Sequence, residues 1–131
     1  MNEILILKEP SGVINNPRVL FNKIEEIKIN YSQENFLVFY LDTKKKLINS
    51  EILFKGGLNL CLIDSKTLFR QALINNADSI IIAHNHPSGD LTPSKEDKEV
   101  FKTLKKVGDI IKLNVIDSII FNTKEYYSLE V

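Results

Sequence analysis

Cysteine is nearly absent from this chain, Cys61 being the only one in 131 residues. An internal disulfide is therefore impossible and a zinc site built from several thiolates is excluded, so any metal must be held by imidazole and carboxylate. Net charge is missing as well: 17 basic side chains balance 17 acidic ones, which leaves no global field to draw in nucleic acid or an anionic membrane. No apolar run approaches the roughly 20 residues that span a bilayer, and the start, Met1-Asn2-Glu3, is acidic where a secretory signal is basic. Both features point to a cytoplasmic chain without membrane contact. Repeats of fixed period and Gly/Ser linkers are also lacking, and the densest like-charge run is only Lys44-Lys45-Lys46.

What remains is ordinary globular material, with 44% hydrophobic and 26% charged residues, enough to bury one core and one domain over residues 1–131. Asn16-Pro17 opens a helix, Asn as N-cap and Pro in the first turn, with Val19, Leu20, Ile24 and Ile27 at helical spacing. Asn35 to Leu41 and Leu47 to Phe54 read as a hairpin joined through Asp42–Lys46, and Gly56-Gly57 breaks it. Leu58 to Ile63 predicts a third short strand. Asp64-Ser65 caps a helix whose stripe is Leu68, Phe69, Ala72 and Leu73. Ser79 to Ala83, apolar without alternation, predicts a strand buried on both faces. Ser94 begins a helix with Val100, Phe101, Leu104, Val107 and Ile111 on one side and Lys98, Lys102, Lys105 and Lys106 mostly on the other, before a last hairpin over Asn114–Phe121 and Tyr126–Leu129. The fold class is α/β or α+β, helices around a mixed or mostly antiparallel sheet.

Both histidines lie in one stretch, His84-Asn85-His86-Pro87-Ser88-Gly89, followed by Pro93-Ser94-Lys95-Glu96-Asp97. In an extended segment side chains alternate, so His84 and His86 project to one side while Asn85 points away. Pro87 and Gly89 supply the turn. Ser94 is the N-cap of the next helix, and Asp97 falls three residues on in a capping box, where the helix terminus keeps a carboxylate ionised. Two His and one Asp suit tetrahedral zinc with a fourth position left to water, the pattern of a catalytic site. Such an ion yields a hydroxide nucleophile at neutral pH and polarises a carbonyl, so amide hydrolysis follows. The base that takes the proton is not fixed by local spacing: Glu51, Glu34, Glu3 and Glu96 are all available, and Glu51 stands out because it interrupts an apolar strand. Ser94 is the neutral donor placed to stabilise an oxyanion. Cys61, with no third His to serve it, reads as a small buried hydrophobe rather than a nucleophile.

The signature His-x-His-Pro-Ser-Gly…Pro-Ser-x-x-Asp resembles that of the JAMM (MPN-plus) metalloprotease superfamily, and within it the RadC-like proteins. The likeness extends over Gln33–Phe36, Leu41–Lys44, Glu51–Gly56 and Tyr127–Leu129, about Val13 to Val131. It implies a mixed sheet sandwiched by helices, related in architecture to cytidine deaminases, with Zn²⁺ on His84, His86 and Asp97, Glu51 as base, Ser94 as oxyanion donor, and a peptide or protein-conjugate amide as substrate. With Val13 so near the start of the sequence, a single domain without the helix-hairpin-helix region that RadC-like proteins commonly carry is expected. Lys66 stands where an Arg, and Ser118 where a His, is expected. The rival reading is a non-catalytic, metal-stabilised binding module, associated with DNA repair or protein partners, that recruits nucleic acid or protein through the lysine-bearing helix.

Overall fold

The computed structural model describes residues 12–56 and 63–130. Its elements in chain order are α1 (Pro17–Glu25), β1 (Asn35–Leu41), β2 (Leu47–Lys55), α2 (Ser65–Ile74), β3 (Ser79–Asn85), α3 (Lys95–Ile110), β4 (Asn114–Phe121) and β5 (Tyr126–Ser128). The strands form one sheet in the order β2-β1-β3-β4-β5. Only β3 and β4 run parallel, joined by α3 as the crossover that a parallel pair requires; β1–β2, β1–β3 and β4–β5 are antiparallel. The expected strand at Leu58–Ile63 falls, up to Leu62, outside the described residues, as does Cys61.

The two central strands β1 and β3 are buried on both faces throughout, which is why their sequences carry no alternation. One face of the sheet packs against α1 through Leu37, Phe39, Leu41, Ile81 and Ile119. The other packs against α2 and α3 through Phe36, Val38, Tyr40, Ile80 and Ile82. Each helix starts on a side chain that satisfies an otherwise orphaned amide: Asn16 accepts from Val19 N, Asp64 from Lys66 N and Thr67 N, and Ser94 from Asp97 N. Two residues of the expected stripes are exposed, Leu73 at 64% and Ile111 at 44%. Both stand at or beyond the last turn of their helices, where they line one open groove together with Phe69 and Val107.

The same helix contains a residue the stripe did not include. Gly108 is buried on α3, and a methyl group there would run into the carbonyl of Leu113, whose amide donates to Gly108 O at 2.8 Å. Gly108→Ala is expected to lower stability by about 1–3 kcal/mol, against the gain of roughly 1 kcal/mol that Ala brings to an unobstructed helix. Urea unfolding monitored by circular dichroism measures it; a variant as stable as wild type would contradict the close approach.

Asp117 was not anticipated as a structural residue. A register shift after Ile80 turns it to the α1 face of β4, where it collects the amides of Ser118 (2.7 Å) and Glu130 (3.0 Å) and the hydroxyl of Ser128. These bonds tie β5 and the residues after it to β4. Burial pushes the Asp117 carboxyl above its ordinary range, against the pull of the Ser128 hydroxyl and the Glu130 and Ser118 amides.

Candidate metal centre

β3 runs on through His84 to Asn85, so His84 lies inside the strand, on the face it shares with Ile80 and Ile82, and is buried. His86 stands one step beyond the strand end, half-buried. Between them Asn85 points away, as alternation requires, and is fully engaged: its Oδ1 accepts from Asn35 N (2.9 Å) and Asn35 Nδ2 (3.1 Å), and its Nδ2 donates to Gln33 O (3.0 Å). That pairing anchors the last residue of β3 to the first of β1. After it the chain reverses at Pro87-Ser88-Gly89, with Gly89 at φ 83° and its amide on His86 O at 2.8 Å. Asn122 Nδ2 donates to Gly89 O at 2.9 Å and holds the loop against the end of β4.

The loop delivers the N-terminus of α3 to the two imidazoles. Ser94 and Asp97 form a complete capping box: Ser94 Oγ accepts from Asp97 N at 3.0 Å, and Ser94 N donates to Asp97 Oδ2 at 2.8 Å. The cap turns the Asp97 carboxylate inward, where it is 2% exposed. Its Oδ1 lies 3.0 Å from His84 Nε2 and its Oδ2 3.0 Å from His86 Nε2. Burial alone would raise the Asp97 carboxyl, but His84, the Ser94 amide and the charge of both imidazoles outweigh it, and the group is held well below the usual carboxylate range.

The arrangement has room for a cation. His86 Nδ1 lies 2.7 Å from Asp90 O, and donating to that carbonyl leaves the lone pair of a neutral ring on Nε2. Nε2 lies 3.0 Å from Asp97 Oδ2, where it meets the carboxylate as a donor when it carries a proton and offers its lone pair to a cation when it does not. At His84 both ring nitrogens are buried without a hydrogen bond, Nε2 lying close to Asp97 Oδ1 but not aligned for one. Among the described residues, His84, His86 and Asp97 are the only set of three that puts possible ligand atoms within 4.8 Å of one another. Ligands on a tetrahedral ion at about 2.0–2.2 Å stand roughly 3.3–3.6 Å apart, so the three fit a divalent ion after small adjustments. The Asp90 carbonyl fixes the orientation of the His86 ring, as an outer partner would for an imidazole that held a metal.

Glu51 and Ser94, the other two expected site residues, stand outside that set. Ser94 is exposed, with its hydroxyl oxygen engaged by the Asp97 amide and its proton available to a ligand. Glu51 is half-buried on β2, opposite Val38, which lies opposite Ile82 of β3. This is the face on which His84 stands; His84 is in line with Phe36 and Phe54, so Glu51 is two strand spacings of roughly 5 Å away and two residues further along the sheet. A one-residue irregularity between the pairs Phe36–Phe54 and Leu37–Ile52 puts it there. Without that bulge, strict alternation from Phe54 would turn Glu51 to the α1 face. Glu34, Glu3 and Glu96 gain no such placement: Glu96 is exposed on α3, Glu34 precedes β1, and Glu3 lies outside the described residues. On the lysine helix, Lys105 pairs with Glu130 at 2.9 Å, while Lys98, Lys102 and Lys106 are exposed. No helix among the described residues is long and apolar enough to cross a membrane.

Comparison with known proteins shows the family. A family model described as RadC-like JAB domain matches residues 14–131. The chain is 38% identical over 128 residues to UPF0758 protein SH1266 of Staphylococcus haemolyticus, covering 98% of this chain and 53% of that protein. It is 38% identical over 118 residues to UPF0758 protein BH3032 of Halalkalibacterium halodurans, covering 90% and 51%. A UPF0758 protein of Methanosarcina mazei is 32% identical over 124 residues, covering 95% and 54%. The chain thus spans about half the length of these relatives.

Proposed function

The chain belongs to the RadC-like JAB domain family, and we propose that it is a zinc-dependent hydrolase that cleaves a peptide or isopeptide amide. The observation that carries the reading is the cluster itself: two imidazoles and a buried carboxylate converge, each His Nε2 lying 3.0 Å from an Asp97 oxygen, a set that fits a JAMM-type metal site. His84, His86 and Asp97 would hold the ion. A divalent metal bound there supplies a Lewis acid and a water ionisable near neutral pH.

The remaining work falls to the chain's own groups. Glu51, on the same face of the sheet, takes the proton of the attacking water at its carboxylate and returns it to the leaving nitrogen. Ser94, exposed at the first turn of α3, donates its hydroxyl proton towards the carbonyl oxygen as negative charge develops there, with the helix N-terminus adding its partial positive charge. Nucleic acid as a partner draws less support, since the net charge is zero and Lys105 is already paired. The test is hydrolysis by zinc-reconstituted protein of a panel of fluorogenic peptides and lysine isopeptides. Turnover that disappears with a chelator and returns with zinc is expected. Binding of duplex DNA that falls steeply with salt, with no amide cleavage, would favour the rival reading instead.

A further inference from the structure

Glu51 is held by a second residue. Tyr40 Oη donates to Glu51 Oε1 at 2.6 Å. Tyr40 is fully buried in β1, a strand whose other residues after Asn35 are all apolar, and packing alone would be met by Phe. A buried phenol hydroxyl without an acceptor is costly, so this one is tied to the carboxylate it has found. The register explains the contact: Val38 stands opposite Glu51 and Tyr40 opposite Asn49, which makes Tyr40 and Glu51 diagonal neighbours, within reach of a long aromatic side chain. The same bulge that turns Glu51 to the face of His84 brings it to Tyr40.

We propose that Tyr40 is a positioning residue for Glu51, anchoring Oε1 so that Oε2 is left as the oxygen that exchanges the proton. The inference rests on the reading of Glu51 as the base. Among the described residues Glu51 sits on an edge strand, and it is only half-buried, so without an anchor its three side-chain torsions are free to move the carboxylate. Displacement by about an ångström can cost roughly 10²-fold in rate. Tyr40 is rigid by contrast, packed between β2 and β3 in the middle of the sheet. Burial, and then the hydrogen bond and charge of Glu51, push the phenol above the ordinary tyrosine range, so it remains a donor throughout the working pH.

The test compares wild type, Tyr40→Phe, Glu51→Gln and the double variant, each loaded with Co²⁺ and followed by its visible spectrum against pH; no substrate is needed. The spectral midpoint reports the group exchanging a proton beside the ion. Glu51→Gln is expected to move it, Tyr40→Phe to move it by about half a pH unit or more, and the double variant to move it no further than Glu51→Gln alone. A Tyr40 with a purely structural role would leave the midpoint where it is. A shift in Glu51→Gln with none in Tyr40→Phe overturns the role of Tyr40 and leaves Glu51 standing. A shift in neither removes Glu51 as the base, and the proposal with it. Full additivity in the double variant overturns it too, since Tyr40 would then act by a route other than Glu51.

Discussion

Glu51→Gln is expected to keep its full complement of zinc and to lower turnover by about 10²–10⁴-fold, the contribution of a positioned general base. The amide is nearly isosteric and its oxygen still accepts from the Tyr40 hydroxyl, so the fold has no reason to change. What it loses is the capacity to take a proton. Glu51 lies outside the three-residue ligand set, so metal content and rate should separate cleanly in this variant. Steady-state rates and zinc content on the same preparations measure both. A variant as fast as wild type would show that the proton goes elsewhere.

The second large effect is on metal affinity. His84→Ala and His86→Ala each remove a direct ligand, and each is expected to weaken zinc binding by more than the roughly 10–100-fold that accompanies loss of an outer-shell partner. Competition with a chromophoric chelator measures it. Asp97→Asn separates charge from capping. Its amide oxygen still accepts from Ser94 N, as Asp97 Oδ2 does at 2.8 Å, so the helix keeps its start while the anion is gone. Wild-type protein at a zinc concentration about 100 times the dissociation constant gains roughly 2.7 kcal/mol of stability. The Asn variant and the double His variant should gain almost none. An equal rise in melting temperature on adding zinc to all of them would place the ion at other residues.

How far the sequence reached can be seen residue by residue. His84, His86 and Asp97 were legible because each rests on local rules: alternation in a strand, a turn with Gly89 in the left-handed region, and a capping box that fixes the carboxylate. The helix starts at Asn16, Asp64 and Ser94 followed from the same kind of chemistry. What stayed hidden depended on pairing between distant segments. The bulge in β2 that chooses the face of Glu51, the contact of Tyr40 with it, and the lock of Asn85 on Asn35 join residues 11 to 50 positions apart, and no periodicity records them. Gly108 and Asp117 escaped for a related reason. One is required by a backbone that approaches only once α3 has docked, the other by a register shift in β4. A lone Gly in an amphipathic helix and an Asp in an apolar strand were the available signals, each a break in pattern with a packing cause.

The most direct measurement is X-ray absorption at the zinc edge of the reconstituted protein, taken with the zinc stoichiometry. One equivalent is expected, with two imidazole nitrogens and the rest oxygen at about 2.0–2.2 Å and no sulfur; the imidazole signal should vanish in the His84→Ala/His86→Ala variant. Less than about half an equivalent after reconstitution, a sulfur ligand from Cys61, or an unchanged spectrum in the double variant would contradict the shared ion.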